Sequence, residues 1–183
     1  GWLPLEDDVV ADEPVAPTIQ KGIFAFGYTS SVQSMSNLVT SAGVIGTDVT
    51  GVGTARFYIG STSYGADKAI FAYGYLNATT TYVSMSNLVS NSGVVASDVT
   101  GVGTVRKYLA AARYGTDKAI FAYGDNASTN LSMSNLVSNS GVIAEDVTGV
   151  GTARAGLAAS SYGGDKAIFA YGYTGSQSNL VNN

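Results

Sequence analysis

The sequence predicts an all-β protein built from repeats of a single structural unit. Two observations support this prediction: nearly the same apolar segment occurs four times, and a glycine-rich turn segment recurs in every complete unit. The composition agrees, since 23 of the 183 residues are Gly and 12 are Tyr, while charged residues contribute only 12%. An apolar share of 45% is too high for a disordered chain.

The first element of the unit is the apolar segment Lys-Ala-Ile-Phe-Ala-Tyr-Gly. Its side chains alternate between two faces that are both apolar, which predicts a strand in a sheet packed between two other sheets. In the second copy we expect Phe71 and Tyr73 on one face, with Ile70 and Ala72 on the other. The copies lie at residues 21–27, where the segment reads Lys-Gly-Ile-Phe-Ala-Phe-Gly, and at 68–74, 118–124 and 166–172.

Three further segments complete the unit. Ser-Met-Ser-Asn-Leu-Val predicts a second strand, and Asp-Val-Thr-Gly-Val-Gly-Thr predicts a loop or turn. A stretch of small residues before Tyr-Gly-x-Asp predicts a third strand. Residues 108–115 alone would suit a helix, but their counterparts carry Gly, Thr and Ser at matching positions, which favours a strand. Such small side chains suit an inner strand crowded near a central axis.

The chain divides into an acidic, proline-containing N-terminal arm, residues 1–20, and a β repeat domain, residues 21–183. From one strand lysine to the next, the complete units are 47, 50 and 48 residues long. Repeats of this length are typical of propeller blades, which are small antiparallel sheets that need neighbours to bury their faces. The repeats span residues 21–67, 68–117, 118–165 and, as a partial copy, 166–183.

The order of these segments resembles a kelch-type β-propeller blade over residues 21–183. The match consists of Thr-x-Arg, a small-residue strand, Tyr-Gly-x-Asp-Lys, the Ile-Phe-Ala-Tyr-Gly strand, a variable loop and an Asn-Leu-Val strand. A single glycine follows the apolar strand where kelch blades usually carry two. The repeat also resembles repeat-bearing virion proteins of tailed phages, in particular tail and fibre components, and this second resemblance implies a structural role in a virion.

The number of repeats leaves the closure of the fold open. Propellers close with about four to eight blades, whereas this sequence holds three complete units and a fragment. The alternatives are a four-bladed ring completed by residues 1–20, a ring or strand exchange shared between chains, and a non-closing β-solenoid or trimeric fibre-like prism. A homo-oligomer is compatible with each alternative.

Composition and charge exclude several functional classes. With no Cys and no His, the chain has no disulfide, Cys nucleophile or His-based triad. The arm holds five of the 13 acids and none of the nine bases, so the repeat domain is close to neutral and lacks the basic field expected for nucleic-acid binding. No apolar run is long enough to span a membrane, and the first residues do not resemble a signal peptide.

The repeated charged residues predict structural turns rather than a catalytic centre. An Asp and an Arg beside the glycine-rich turn recur in every complete unit, whereas a catalytic carboxylate pair would break the repeat symmetry. We therefore expect these acids to be Asp turn caps or to pair with Arg within each blade, with no metal, no cofactor and no enzymatic activity. The residues are Asp48, Asp98, Asp146, Arg56, Arg106 and Arg154.

The loops between the apolar strand and the following strand differ most between units and predict the contact surface. Tyrosine rings and asparagine amides in these loops suit a sugar or a protein partner. In the arm, Trp2, Leu3 and Leu5 are candidates for docking onto another surface. The loop candidates are Tyr28, Tyr75, Tyr82, Asp125, Asn126, Asn130 and Tyr173.

These observations predict a non-catalytic structural or adhesive component of a phage virion or a similar extracellular assembly. A rigid β scaffold would display the variable loops, and the partners would be other virion or assembly proteins. The alternative is a carbohydrate-binding, lectin-like propeller that recognises a cell-surface glycan through its Tyr and Asn side chains.

Overall fold

A computed structural model describes residues 21–77, 80–173 and 178–181. The regular elements of this part of the chain are β-strands, which confirms the all-β prediction, while Trp2, Leu3 and Leu5 lie outside the described residues. The strands are β1 (Gly22–Tyr28), β2 (Val32–Val39), β3 (Gly60–Tyr64), β4 (Lys68–Leu76), β5 (Thr81–Val89), β6 (Ala110–Tyr114), β7 (Lys118–Asp125), β8 (Asn130–Val137), β9 (Ala158–Tyr162), β10 (Lys166–Ala170) and β11 (Ser178–Val181).

Antiparallel pairing joins the strands into four small sheets that follow one another along the chain. The orders are β1-β2, β3-β4-β5, β6-β7-β8 and β9-β10-β11, and we call these the first to the fourth sheet. The apolar segment is the central strand of each three-stranded sheet, with the small-residue strand on one side and the Asn-Leu-Val strand on the other. The three strands predicted for each unit are therefore confirmed, including the stretch in β6 that resembles a helix when read alone.

A β-bulge near the end of β1, β4 and β7 changes the face on which the aromatic residue of the strand lies. After β10, Tyr171 (φ 64°) and Gly172 (φ 110°) repeat its left-handed backbone conformation. In β4 the register with β5 shifts between Ala72 and Gly74, and both Tyr73 (φ 64°) and Gly74 (φ 115°) have left-handed backbone conformations. Tyr73 consequently joins Ile70 and Ala72 in one apolar cluster, whereas Phe71 belongs to another. The prediction that Phe71 and Tyr73 share a face was wrong, because strict alternation does not hold across a bulge.

Apolar clusters fill the spaces between neighbouring sheets. Both faces of the second and third sheets are covered, as the apolar faces of the central strand predict. At each junction the aromatic residue of one bulge packs against the phenylalanine of the next central strand. The ring centroids are 5.6 Å apart for Phe26 and Phe71, 5.5 Å for Tyr73 and Phe121, and 5.8 Å for Tyr123 and Phe169.

Backbone hydrogen bonds repeat across the same junctions. The bulge glycine donates to the carbonyl of the arginine that precedes the next sheet: Gly74 N lies 2.9 Å from Arg106 O, and Gly124 N lies 3.0 Å from Arg154 O. Each Tyr-Gly turn also donates to the corresponding turn of the next sheet, with Gly65 N 2.7 Å from Asp117 O. Neighbouring sheets are thus held in one fixed relation by bonds as well as by packing.

The described sheets form an open series. Phe24 on the first sheet and Tyr171 on the fourth are 64% and 66% exposed. The counterparts of Phe24 in the other three sheets are buried, as are Tyr73 and Tyr123, the counterparts of Tyr171 in the second and third sheets. A closed propeller is therefore not seen within these residues. In the same part of the chain, no helix is long and apolar enough to cross a membrane.

Candidate functional site

Arg56 is buried between the first and second sheets and organises the loop around it. Its Nε donates to the carbonyl of Tyr73 at 2.9 Å, Nη1 to the carbonyl of Thr54 at 3.1 Å, and Nη2 to Oδ1 of Asn87 at 2.6 Å. Burial lowers the pKa of Arg56 to about 10, an effect that the carboxylate of Asp98, 3.7 Å away, opposes. The guanidinium therefore remains charged at neutral pH and binds partners from two strands and a turn.

The other two arginines of the glycine-rich turns lie in equivalent places. Arg106 donates from Nη2 to Oδ1 of Asn135 at 2.6 Å and lies 3.9 Å from the carboxylate of Asp146, and Arg154 is buried in the same way. Each guanidinium also covers an aromatic ring of the preceding sheet, a favourable cation–π contact. The distances to the ring centroids are 4.3 Å for Arg56 and Phe26, 4.0 Å for Arg106 and Tyr73, and 4.2 Å for Arg154 and Tyr123.

Asp98 joins the loop that precedes the second sheet to the loop that follows it. Its carboxylate accepts hydrogen bonds from N and Oγ1 of Thr54 at 2.9 and 2.6 Å, and from Nδ2 of Asn87 at 2.9 Å. Asp146 accepts from N and Oγ1 of Thr104 at 3.0 and 2.6 Å. Burial by itself would raise the pKa of both carboxyls, but these hydrogen bonds and the nearby arginines outweigh it, so the pKa of each is lowered.

These carboxylates are expected to make the stability of the protein depend on pH. A lowered pKa in the folded state stabilises the fold above the pKa of the unfolded chain, about 4, and this stabilisation is lost as pH falls through the folded pKa. The double variant Asp98→Asn/Asp146→Asn should therefore melt at a lower temperature than the wild type at pH 7, with the gap narrowing below about pH 4. Thermal melts followed by circular dichroism from pH 7 to pH 2 measure this gap. A gap of constant size across that range would contradict the assignment.

A row of aromatic rings runs across all four sheets beside the variable loops, and we call it the aromatic ridge. Neighbouring centroids lie 4.2 to 6.1 Å apart, so the rings are in contact in tilted or edge-to-face arrangements. Several rings are open to solvent, with exposed fractions of 53% for Tyr28, 43% for Tyr58 and 71% for Tyr173. The ridge consists of Tyr28, Phe57, Tyr58, Tyr75, Tyr82, Tyr108 and Tyr173.

The side-chain ammonium of Lys107 is the one cation at the centre of the ridge among the described residues. The ammonium of Lys107 is 4.6 Å from the ring centroid of Tyr75, 5.0 Å from those of Tyr82 and Tyr108, and 5.8 Å from that of Tyr58. Four rings thus surround one ammonium group. These cation–π contacts hold both the lysine side chain and the rings in place. The ridge combines apolar ring surface with hydroxyl groups and one positive charge.

Two ridge tyrosines have a backbone conformation that favours glycine. Tyr58 has a φ of 57° and Tyr108 a φ of 55°, and the equivalent residue of the fourth sheet is Gly156, with a φ of 64°. A left-handed conformation costs a residue with a side chain of the order of 1 kcal/mol or more. Tyrosine is present at two of the three positions despite this cost, which points to a use for the rings themselves.

The structure places the predicted contact residues in two groups. Tyr28, Tyr75, Tyr82 and Tyr173 belong to the ridge, and the Tyr82 hydroxyl lies 3.3 Å from Oδ1 of Asp125. The side chain of Asn126 instead caps its own turn, since Oδ1 accepts from N of Ser128 and of Thr129 at 3.2 and 3.1 Å. Asn130 is half-buried opposite Asp125 in the β7–β8 ladder.

Asp48, which the sequence predicts as a structural turn residue, accepts a hydrogen bond from Nδ2 of Asn37 at 2.7 Å.

Sequence reasoning missed four residues at the centre of the ridge, namely Phe57, Tyr58, Lys107 and Tyr108. They follow directly after the repeated arginines, in positions that read Phe-Tyr, Lys-Tyr and Ala-Gly in successive units. This variation beside an unchanging arginine was a signal that could have identified them. Their proximity to Tyr75 and Tyr82 depends on how the sheets stack.

Comparison with known proteins does not assign this arrangement to a family. No known family matches the chain, and no curated protein matches it either. Within the described ranges, no three acidic side chains come together as a metal site would require. The aromatic ridge and the scaffold that holds it are the features of the molecule that indicate a function.

Proposed function

We propose that the chain is a structural or adhesive component of an extracellular assembly, such as a phage tail or fibre, and that it displays the aromatic ridge from a rigid β scaffold. The observation that carries the proposal is the continuity of the ridge across all four sheets. A surface that spans every unit requires the units to keep one fixed relation. The buried arginines and the repeated backbone bonds between sheets supply that relation.

The repeated acids fit a scaffold role because hydrogen bonds already engage them. The carboxylate of Asp98 accepts from Thr54 and Asn87, and that of Asp146 accepts from Thr104 and Asn135. Their lowered pKa values keep them ionised at neutral pH, as acceptors for these donors. The proposed function accordingly involves display and attachment, with no chemical step.

Location tests the assembly role directly. Virions and other extracellular particles purified from the source culture should contain peptides of this chain when examined by mass spectrometry, and antibodies against the chain should label the particle surface. Exclusive recovery of the chain from the cell interior, with none in purified particles, would contradict the proposal.

A second candidate function is the recognition of cell-surface glycans by the ridge. Tyrosine rings offer flat apolar faces on which the C–H groups of a sugar ring pack, while their hydroxyls exchange hydrogen bonds with sugar hydroxyls. Tyr28, Tyr58 and Tyr173 leave such faces open to solvent beside the first, second and fourth sheets. A row of stacked rings suits an extended saccharide better than a single monosaccharide.

The double variant Tyr58→Gly/Tyr108→Gly should weaken glycan binding by about 5-fold to 150-fold, since each of the two lost stacking contacts is worth about 0.5 to 1.5 kcal/mol. Gly156 occupies this position before the fourth sheet with a similar φ, so glycine should retain the backbone conformation. A glycan array identifies the ligand, and titration calorimetry with that glycan measures the affinity.

The matched control is Tyr162→Ala, which removes a tyrosine that is 41% exposed and lies outside the ridge. It should bind the glycan with wild-type affinity. Failure of the wild-type chain to bind any glycan would reject this second function and leave the structural role. Equal losses in the double variant and in the control would reject the ridge as the binding surface.

A further inference from the structure

The junctions between sheets follow one rule that can be extended beyond a single chain. The two faces of a sheet differ. One face carries the phenylalanine of the apolar strand and, in the second to fourth sheets, packs on the preceding sheet; the other carries the bulge aromatic and, in the first to third sheets, packs on the following sheet. Phe71 packs on Phe26 in this way, and Phe121 packs on Tyr73. A phenylalanine face is therefore complementary to a bulge face.

The first sheet leaves its phenylalanine face open. Phe24 is 64% exposed, whereas its counterparts Phe71, Phe121 and Phe169 are 4%, 0% and 1% exposed. Ile45, which follows β2, is 62% exposed. The equivalent residues after β5 and β8 are buried at 8%. This outer face therefore exposes apolar side chains that are buried in the other sheets. Among the described residues it has no covering sheet, and the first sheet itself has two strands, without the small-residue strand of the other three sheets.

The fourth sheet leaves its bulge face open. Tyr171 is 66% exposed, whereas Tyr73 and Tyr123 are 0% and 3% exposed. Tyr162 is 41% exposed, whereas its counterparts Tyr64 and Tyr114 are 2% and 9% exposed. The two ends of the series thus present, exposed, the two aromatic side chains that pair at each junction inside the molecule: a phenylalanine at one end and a bulge aromatic at the other.

We propose that copies of this chain stack head to tail, with the Tyr171 face of one copy against the Phe24 face of the next. Burial of the exposed rings supplies the driving force, as it does at the internal junctions. The contact is heterologous, because the two participating surfaces differ, so it extends into a filament or closes into a ring according to the rotation between copies. The proposal does not depend on the function of the aromatic ridge.

The junction between copies is expected to be weaker than the internal junctions. Each internal junction includes an arginine twelve residues before the strand lysine, as Arg56 stands before Lys68, and its guanidinium covers the bulge aromatic. The equivalent position before Lys21 is Val9, and residues 1–20 contain neither Arg nor Lys. A junction without this cation–π contact should form reversibly, with a strong dependence on protein concentration.

Sedimentation or light scattering over a wide range of concentrations tests the stacking. The wild-type chain should grow from its monomer mass of 18.7 kDa through successive multiples as concentration rises. The single variants Phe24→Asp and Tyr171→Asp should each remain monomeric, since each loses one half of every junction. Both side chains are largely exposed, so the fold should persist, and circular dichroism checks this.

Mixing the two variants provides the decisive measurement. A Phe24→Asp copy retains its Tyr171 face and a Tyr171→Asp copy retains its Phe24 face, so an equal mixture should form dimers and nothing larger. Val150→Asp, at a turn residue that is 70% exposed and lies away from both end faces, should assemble like the wild type.

Three outcomes would overturn the proposal. They are a mixture that stays monomeric although the wild type assembles, a wild type that stops at a dimer, and a wild type that is monomeric at every concentration. The last outcome would favour residues 1–20 as the segment that covers Phe24. Growth that stops at a fixed number of three or more copies would support head-to-tail stacking, since a heterologous contact then closes a ring.

Discussion

Replacing Arg106 by alanine is expected to lower the free energy of unfolding by about 2 to 5 kcal/mol, the range typical for truncating a large buried side chain to alanine. The side chain is fully buried, and its removal leaves Oδ1 of Asn135 and the carbonyl of Thr104 without their donor. The ring of Tyr73 also loses the guanidinium that covers it at 4.0 Å. Unfolding in urea, followed by circular dichroism, measures the loss.

Two further variants separate the role of the charged, planar group from simple space filling. Arg106→Lys keeps the charge but cannot direct donors at two acceptors in fixed directions, so it should recover only part of the stability. Arg113→Ala, at a partly exposed arginine of β6, is the matched control and should cost less than about 1 kcal/mol. Wild-type stability in Arg106→Met would show that filling the volume is sufficient, which contradicts the hydrogen-bonding role.

Replacing Gly74 by alanine is expected to destabilise the protein by about 3 kcal/mol or more, because the left-handed conformation alone costs about 1 to 3 kcal/mol and a collision is added to it. An alanine Cβ would lie 2.7 Å from Cγ2 of Ile59 and 2.8 Å from the carbonyl oxygen of Phe57. That carbonyl also accepts the hydrogen bond from N of Tyr75 at 2.9 Å, so it cannot move away without breaking the pair. Urea unfolding is again the measurement.

The first repeat contains the matched control for this variant. Gly27 has nearly the same backbone conformation, with a φ of 112° against 115°, but a Cβ there would meet no atom within 4 Å. Gly27→Ala should therefore show the conformational cost alone, about 1 to 3 kcal/mol. Equal losses in the two variants would mean that the close approach of Phe57 to the bulge contributes nothing. A larger loss of stability in Gly74→Ala than in Gly27→Ala would show that the bulge glycine lies in close contact with Phe57, a residue of the aromatic ridge, and with Ile59.

The strands could be predicted from the sequence because the copies constrain one another. A segment such as residues 108–115 is ambiguous alone, yet Gly60 and Ser61 at the start of β3 show what the same position tolerates elsewhere. Local pattern and repetition carry this information without any knowledge of contacts between units. The arginines and aspartates beside the turns were identifiable for the same reason, since they recur in fixed phase.

The ridge could be predicted only in part. Tyr28, Tyr75, Tyr82 and Tyr173 were identifiable because they lie in or beside the loops that vary between units. Their neighbours Tyr58 and Tyr108 are one repeat apart in the sequence, and their ring centroids are 4.2 Å apart only because the sheets stack directly on one another. Lys107 is recognisable as the centre of the ridge only when the rings around it are known.

By itself the sequence determined the all-β class, the order of strands within each unit and the residues that every unit shares, since these depend on side-chain pattern along the chain. The tertiary structure decided the rest. The bulge turns Tyr73 toward Ile70, and stacking joins separate tyrosines into one ridge. It also leaves Phe24 and Tyr171 uncovered at the two ends. These properties depend on how one unit meets the next, and a residue's exposure is set by neighbours that the pattern of its own repeat does not specify.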